Sequence, residues 1–151
     1  MSAHAYKVSL TWKEGRSGEL SSPELTDKLE VATPPNFAKG VEGIWSPEHL
    51  YTAAASSCLM TTFLAIAENF KLEFDSFNCD ANGVLDMVEG KYLMTEIHLK
   101  PLVGIHKEED REKTLRVLEK SEKACLISNS IKAKVTMIPE VFVSANKELT
   151  N

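Results

Sequence analysis

The sequence has little cysteine: three residues, at positions 58, 79 and 125. An odd count this small excludes a disulfide scaffold of the secreted kind. No Cys-x-x-Cys pair occurs, and no cysteine–histidine grouping has zinc-finger spacing. The histidines, His4, His49, His98 and His106, are scattered, so neither a bound metal nor another cofactor is expected. Positive charge is also short, with 17 lysines and arginines against 22 acidic residues and a net charge of -5. That balance disfavours nucleic acid or an anionic membrane as the main partner. No apolar leader precedes Lys13 and Glu14. The longest uncharged apolar run, 53–67, is shorter than a bilayer span and is diluted by Ser56, Ser57, Thr61 and Thr62. These absences lead to the expectation of a soluble cytoplasmic protein. Internal repeats, linkers and low-complexity stretches are missing too. The 151 residues, 43% of them hydrophobic, fit one domain spanning 1–151, with a polar, frayed tail from about 144.

What is present is a run of short strands around two helices. Tyr6, Val8, Leu10 and Trp12 alternate with Lys7, Ser9 and Thr11, which predicts a half-buried strand over 5–12. Gly15 and Gly18 bracket Arg16 in a turn. Strands over 18–22 and 25–32 complete an antiparallel meander. Ser46 is a good N-cap and Pro47 suits a first helical position, opening a helix that ends near Asn69. From Ala53 to Ala67 it carries no charge, so burial on all sides is expected. Strands follow over 72–84 and 92–103. Asp110 reads as the N-cap of a second helix to about Lys123, with Leu115 and Leu118 inward, and a last strand covers 131–137. The order β-β-β-α-β-β-α-β indicates an α+β fold with a largely antiparallel sheet.

Cys58 lies among the small residues of the first helix and Cys125 at the end of the second. The ordinary reading of a cysteine in an apolar helix is a small core residue. A reactive thiolate needs positive charge or a helix N-terminus nearby. Cys58 is about three turns inside its helix, beyond useful reach of the dipole, so an arginine from another element would have to serve. Arg16 is the candidate, since the other two arginines, Arg111 and Arg116, both lie on the second helix and are expected to be solvated.

Three stretches together resemble the OsmC/Ohr family of thiol peroxidases. They are Gly15-Arg16-Ser17-Gly18, then Trp45-Ser46-Pro47-Glu48-His49-Leu50 leading through Ala53-Ala54-Ala55-Ser56-Ser57 to Cys58, then Cys125-Leu126-Ile127-Ser128-Asn129. Leu126 stands where the family signature has proline. The resemblance implies an OsmC-like fold in an intertwined homodimer, with long helices back to back and active sites at the subunit interface. It implies that Cys58 is the peroxidatic cysteine, Cys125 the resolving one, and Arg16 and Glu48 the pair that activates the thiolate. Trp45, Tyr51, Leu59, Met60 and Phe63 would form an apolar substrate pocket favouring organic hydroperoxides. An external dithiol would reduce the Cys58–Cys125 disulfide.

Glu48 and Cys58 are ten residues apart, roughly 15 Å along one helix. Glu48 therefore cannot serve the Cys58 of its own helix unless the helix breaks, which fits a site completed by a partner subunit. Two other readings stay open: a non-peroxidatic, redox-sensing protein of the same family, and a dimer whose cleft binds an apolar ligand.

Overall fold

The computed structural model describes residues 2–144, so the expected frayed tail lies largely outside the described residues. The chain divides into two compact units, one ending at Leu50 and the other beginning at Tyr51.

The first unit holds β1 (Ser9–Glu14), β2 (Ser17–Ser21) and β3 (Leu29–Ala32) in the antiparallel meander β1-β2-β3. Gly15 and Arg16 form a two-residue hairpin loop between Glu14 and Ser17. Gly15 takes a φ of +52° at the first loop position, which glycine adopts without strain. The Trp12 indole N–H donates to the Gly15 carbonyl at 3.0 Å and closes the turn. Trp45 follows the sheet edge, its carbonyl accepting from the Ala32 N–H at 2.8 Å. Two expectations are corrected. Residues 5–8 precede β1 instead of belonging to it, and β3 starts at Leu29 instead of Leu25. Nor is β1 half-buried: all six of its residues are exposed, with Leu10 at 66% and Trp12 at 73%. The alternation marks an apolar face that the described residues of the first unit leave open.

α1 (Pro47–Asn69) begins in the first unit with a reciprocal cap. The His49 N–H donates to Ser46 Oγ at 3.2 Å, and the Ser46 N–H donates to His49 Nδ1 at 3.3 Å. A histidine here does what glutamate usually does in a capping box.

In the second unit, α1 packs against β4 (Ser76–Val88), β5 (Lys91–Ile105) and α2 (Arg111–Ala124). β4 and β5 form a long antiparallel hairpin through Glu89 and Gly90, which both have positive φ. β6 (Lys134–Met137) and β7 (Glu140–Val143) pair parallel with β5, end to end along one edge. The sequence pattern predicts only one strand there. Pro139 has no N–H to donate, so the ladder pauses between β6 and β7. Asp110 sits at the N-cap position of α2, but its side chain makes no capping bond. Its carbonyl instead accepts from Thr114 Oγ1 at 2.7 Å.

Ala55, Leu59, Phe63 and Ala67 recur every fourth residue and form the buried stripe of α1. Phe63 and Ala67 join Leu72, Val103, Ile105, Val117 and Leu118 in one core cluster. Ala55 and Leu59 join Ile97, Leu99 and Ala133 in another. The expected all-round burial of α1 is not met. Ser57, Thr61 and Ala65 are exposed, as are Met60 at 38% and Leu64 at 43%. Absence of charge predicts that a helix is buried in its final environment, and the described residues cover only one side of α1. At 23 residues, α1 is by length and composition long enough to cross a membrane. Its regular stripe of core contacts marks it as the core helix of a folded unit.

Candidate active site

The second unit brings Cys58 and Cys125 together. Cys58 lies on α1 beside the buried stripe, 9% exposed. Cys125 follows the last residue of α2, 1% exposed, where the backbone leaves the helix with φ -64° and ψ 111°. Both thiols are free, and each lies near enough to shift the titration of the other. The segment after Cys125 folds onto itself. Asn129 Nδ2 donates to the Lys123 carbonyl at 3.0 Å, satisfying an acceptor at the end of α2. The Asn129 N–H donates to the Cys125 carbonyl at 3.1 Å, and Ser130 Oγ to the Leu126 carbonyl at 2.6 Å. Ser128 Oγ donates to Cys125 Sγ at 3.4 Å, and Thr62 Oγ1 lies 3.9 Å from Cys58 Sγ.

The two thiols are biased in opposite directions. Burial works against a Cys58 thiolate. It is outweighed by hydrogen bonds from the Ile127 N–H, the Cys125 side chain, Thr62 and the Leu126 N–H, so the group titrates below the ordinary cysteine value. Burial pushes Cys125 up. Hydrogen bonds from Ser128 oppose this, while the contact with Cys58 adds to it. The pair therefore favours a Cys58 thiolate accepting a hydrogen bond from a Cys125 thiol. Cys79, on β4, is also raised by burial, and the neighbouring Asp80 adds to the shift. Iodoacetamide labelling followed by mass spectrometry across pH 5–9 is expected to modify Cys58 at lower pH than Cys79 and Cys125. The reverse order would remove the assigned polarity.

The first unit brings Arg16 and Glu48 to one cleft of about 530 Å³. Arg16 sits at the hairpin tip and Glu48 in the first turn of α1, with Leu10, Trp12, Val31 and Phe37 among the apolar walls. None of the five expected pocket residues lines this cleft. Leu59 and Phe63 are fully buried core residues, Tyr51 packs half-buried against the cluster that holds Leu59, and Trp45 and Met60 are exposed. Among the described residues no three histidine, cysteine or acidic side chains group as metal ligands. His98 bridges Thr136 Oγ1 at 2.8 Å and Glu96 at 3.1 Å, while His106 lies 3.2 Å from Asp75.

Sequence reasoning missed the side chains that touch the sulfurs, Thr62 and Ser128, and the N–H groups of Leu126 and Ile127 that lower the titration of Cys58. Thr62 was detectable as the residue one helical turn after Cys58. The backbone donors leave no trace in side-chain patterns.

Residues 40–140 match the family model described as OsmC-like protein. That span contains Glu48, Cys58 and Cys125 and leaves Arg16 outside. Over 98% of its length the chain is 22% identical to the whole of YmaD, an uncharacterized protein of Bacillus subtilis. Among solved structures, an OsmC-like protein of unknown function from Vibrio cholerae superposes with a TM-score of 0.81 at 23% identity, covering 91% of this chain and 99% of that one. An organic hydroperoxide resistance protein from Elizabethkingia anophelis superposes with a TM-score of 0.71 at 20% identity, covering 95% and 97%. The organic hydroperoxide resistance protein OhrB of Bacillus subtilis gives 0.64 at 22%, covering 91% and 98%. The α+β architecture and the extent of the family match agree: this chain belongs to the OsmC-like protein family.

Proposed function

We propose that the protein is a thiol-dependent peroxidase that reduces organic hydroperoxides to alcohols. The observation that carries this reading is the pair of neighbouring free thiols, with Cys58 biased toward thiolate and Cys125 toward thiol. The names of two structural relatives, both organic hydroperoxide resistance proteins, support the substrate class.

The Cys58 thiolate attacks the outer peroxide oxygen, the O–O bond breaks, and the alkoxide leaves as alcohol after taking a proton. Cys58 becomes a sulfenic acid. Cys125 attacks that sulfur, the S–O bond breaks, water departs, and a Cys58–Cys125 disulfide remains. An external dithiol restores both thiols by exchange, which suits a reducing compartment such as the cytoplasm. Arg16 binds the peroxide and stabilises charge on it, and Glu48 orients Arg16. Because Glu48 lies roughly 15 Å of helix from Cys58, a second subunit supplies these two groups to each thiol pair. The apolar walls of the Arg16 cleft favour an alkyl substituent over hydrogen peroxide.

The homodimer is supported by apolar surface that one chain leaves open. Tyr6, Val8, Leu10 and Trp12 are exposed near the N-terminus, as are Met60 and Leu64 on α1. Leu64→Glu would bury an unpaired charge in such an interface, at a cost of several kcal/mol. Analytical ultracentrifugation is expected to show a wild-type dimer and a variant shifted to monomer. A wild-type monomer would rule out a shared site.

The chemistry is tested by adding one equivalent of cumene hydroperoxide and mapping disulfides by mass spectrometry. A Cys58–Cys125 bridge with dithiol-dependent turnover is expected, faster than with hydrogen peroxide. A bridge without turnover would leave a redox-sensing protein, and no bridge a ligand-binding one.

A further inference from the structure

The cap that starts α1 uses an imidazole where a glutamate or glutamine is usual. His49 stands three residues after Ser46, and its Nδ1 accepts twice, from the Ser46 N–H at 3.3 Å and from the Ser46 hydroxyl at 2.7 Å. The His49 N–H returns a bond to Ser46 Oγ at 3.2 Å. A backbone N–H can only donate, so Nδ1 carries the lone pair and the ring proton sits on Nε2. Ser46 is fully buried, whereas His49 is exposed and stands edge-on to the Trp45 ring, 6.2 Å between centroids. The lone pair is thus tied to a buried residue while the ring is open to protons from solvent. Glu48 lies between the two capping residues, in the same first turn, and lines the cleft with Arg16.

We propose that His49 is a positioning residue: its unprotonated Nδ1 holds the first turn of α1, and with it Glu48, at the Arg16 cleft, and protonation releases that turn. A proton on Nδ1 faces the Ser46 N–H with a donor in place of an acceptor, and the Ser46 hydroxyl must turn its own proton elsewhere. Because Ser46 is fully buried, water does not replace the lost acceptor. A cation in the first turn is also disfavoured by the helix dipole. Both effects have the same sign, so the cap is closed at high pH and opens as pH falls. The charged groups on the elements around the cap are Glu48 on α1, Arg16 in the hairpin loop, Glu30 on β3, and Lys39 and Glu42 in the segment 33–45. Among the described residues none of them forms an ion pair with His49, so the cap bonds are what its ring contributes. The catalytic purpose rests on the peroxidase reading, but the cap is measurable without peroxide.

The test is amide hydrogen exchange of Ser46 and His49, followed by NMR in the reduced full-length protein and corrected for intrinsic exchange. Measurements at about pH 5.5 and about pH 8 bracket the ordinary histidine range. The wild type is expected to lose protection at both amides by roughly fivefold at the lower pH, the scale of one helix cap. His49→Gln offers an acceptor that never titrates, and its protection is expected to be equal at the two pH values. His49→Ala is expected to be unprotected at both. A wild type equally protected at both pH values overturns the proposal, as does a glutamine variant that loses protection as the wild type does. Over the same pH step, the KM for cumene hydroperoxide is expected to rise more in the wild type than in His49→Gln, by a similar factor, because a loosened Glu48 weakens the hold of Arg16 on peroxide. Equal KM ratios beside a cap that opens would remove the positioning role. A cap that opens in a protein consuming no peroxide would uphold the titratable cap and remove the peroxidase reading. Turnover with a cap that never opens would do the opposite.

Discussion

Cys58→Ser is expected to abolish dithiol-dependent consumption of organic hydroperoxide, lowering the rate by roughly a thousand-fold or more. A serine hydroxyl stays protonated at neutral pH and does not displace alkoxide from peroxide oxygen. The hydrogen bonding that lowers the titration of Cys58 has no anion to act on once the sulfur is gone. Two further variants separate the roles of the remaining thiols. Cys125→Ser is expected to allow one rapid turnover and then leave a Cys58 sulfenic acid, trapped by dimedone, because no second sulfur is in place to displace water. Cys79→Ser is expected to leave the rate unchanged, since that thiol lies on β4 outside the Cys58–Cys125 pair. Steady-state assays with the three variants side by side decide the matter. Wild-type rates in Cys58→Ser would end the peroxidase reading.

The largest effect on stability is expected from Phe63→Ala, a loss of about 3–5 kcal/mol. Phe63 is fully buried, and its ring packs against Phe74 at 5.2 Å and Phe77 at 4.9 Å between centroids. Truncation removes a large apolar side chain and leaves a gap that the cluster with Val103, Ile105, Val117 and Leu118 cannot fill without moving strands. For a chain of this length the melting temperature should fall by about 10 °C. Differential scanning calorimetry or thermal circular dichroism measures it. A loss below about 1 kcal/mol would mean that β4 and α2 close over the gap. Met60→Ala, on the exposed side of the same helix, serves as the contrast in any state where that side is uncovered.

Several parts of the molecule were readable from side-chain order. Ser46-Pro47 and the uncharged run after it located α1, because capping chemistry and the lack of charge are local properties of adjacent residues. Gly15 and Gly18 located the first hairpin, because a positive φ is a property of one residue. The motifs around Glu48, Cys58 and Cys125 pointed to the family that the model match then showed. Other expectations failed for a shared reason. The alternation over 5–12 and the apolar run over 53–67 both predicted burial, and β1 and one side of α1 are exposed. Hydrophobic pattern records what a surface eventually meets, and it does not say whether the covering atoms belong to the same chain. β7 was missed because a four-residue strand after a proline has too little periodicity to register.

The sequence by itself determined the helix that carries Cys58, the hairpin that carries Arg16, and the supply of two further thiols. Each follows from chemistry between neighbours in the chain. Only the tertiary structure decided which thiol meets which, and which gives up its proton more readily. Cys58 and Cys125 are separated by sixty-six intervening residues, and their contact depends on α2 ending beside the middle of α1. Their opposite bias depends on where N–H groups point after that helix ends. Those directions are set by backbone dihedrals, which a list of side chains does not encode.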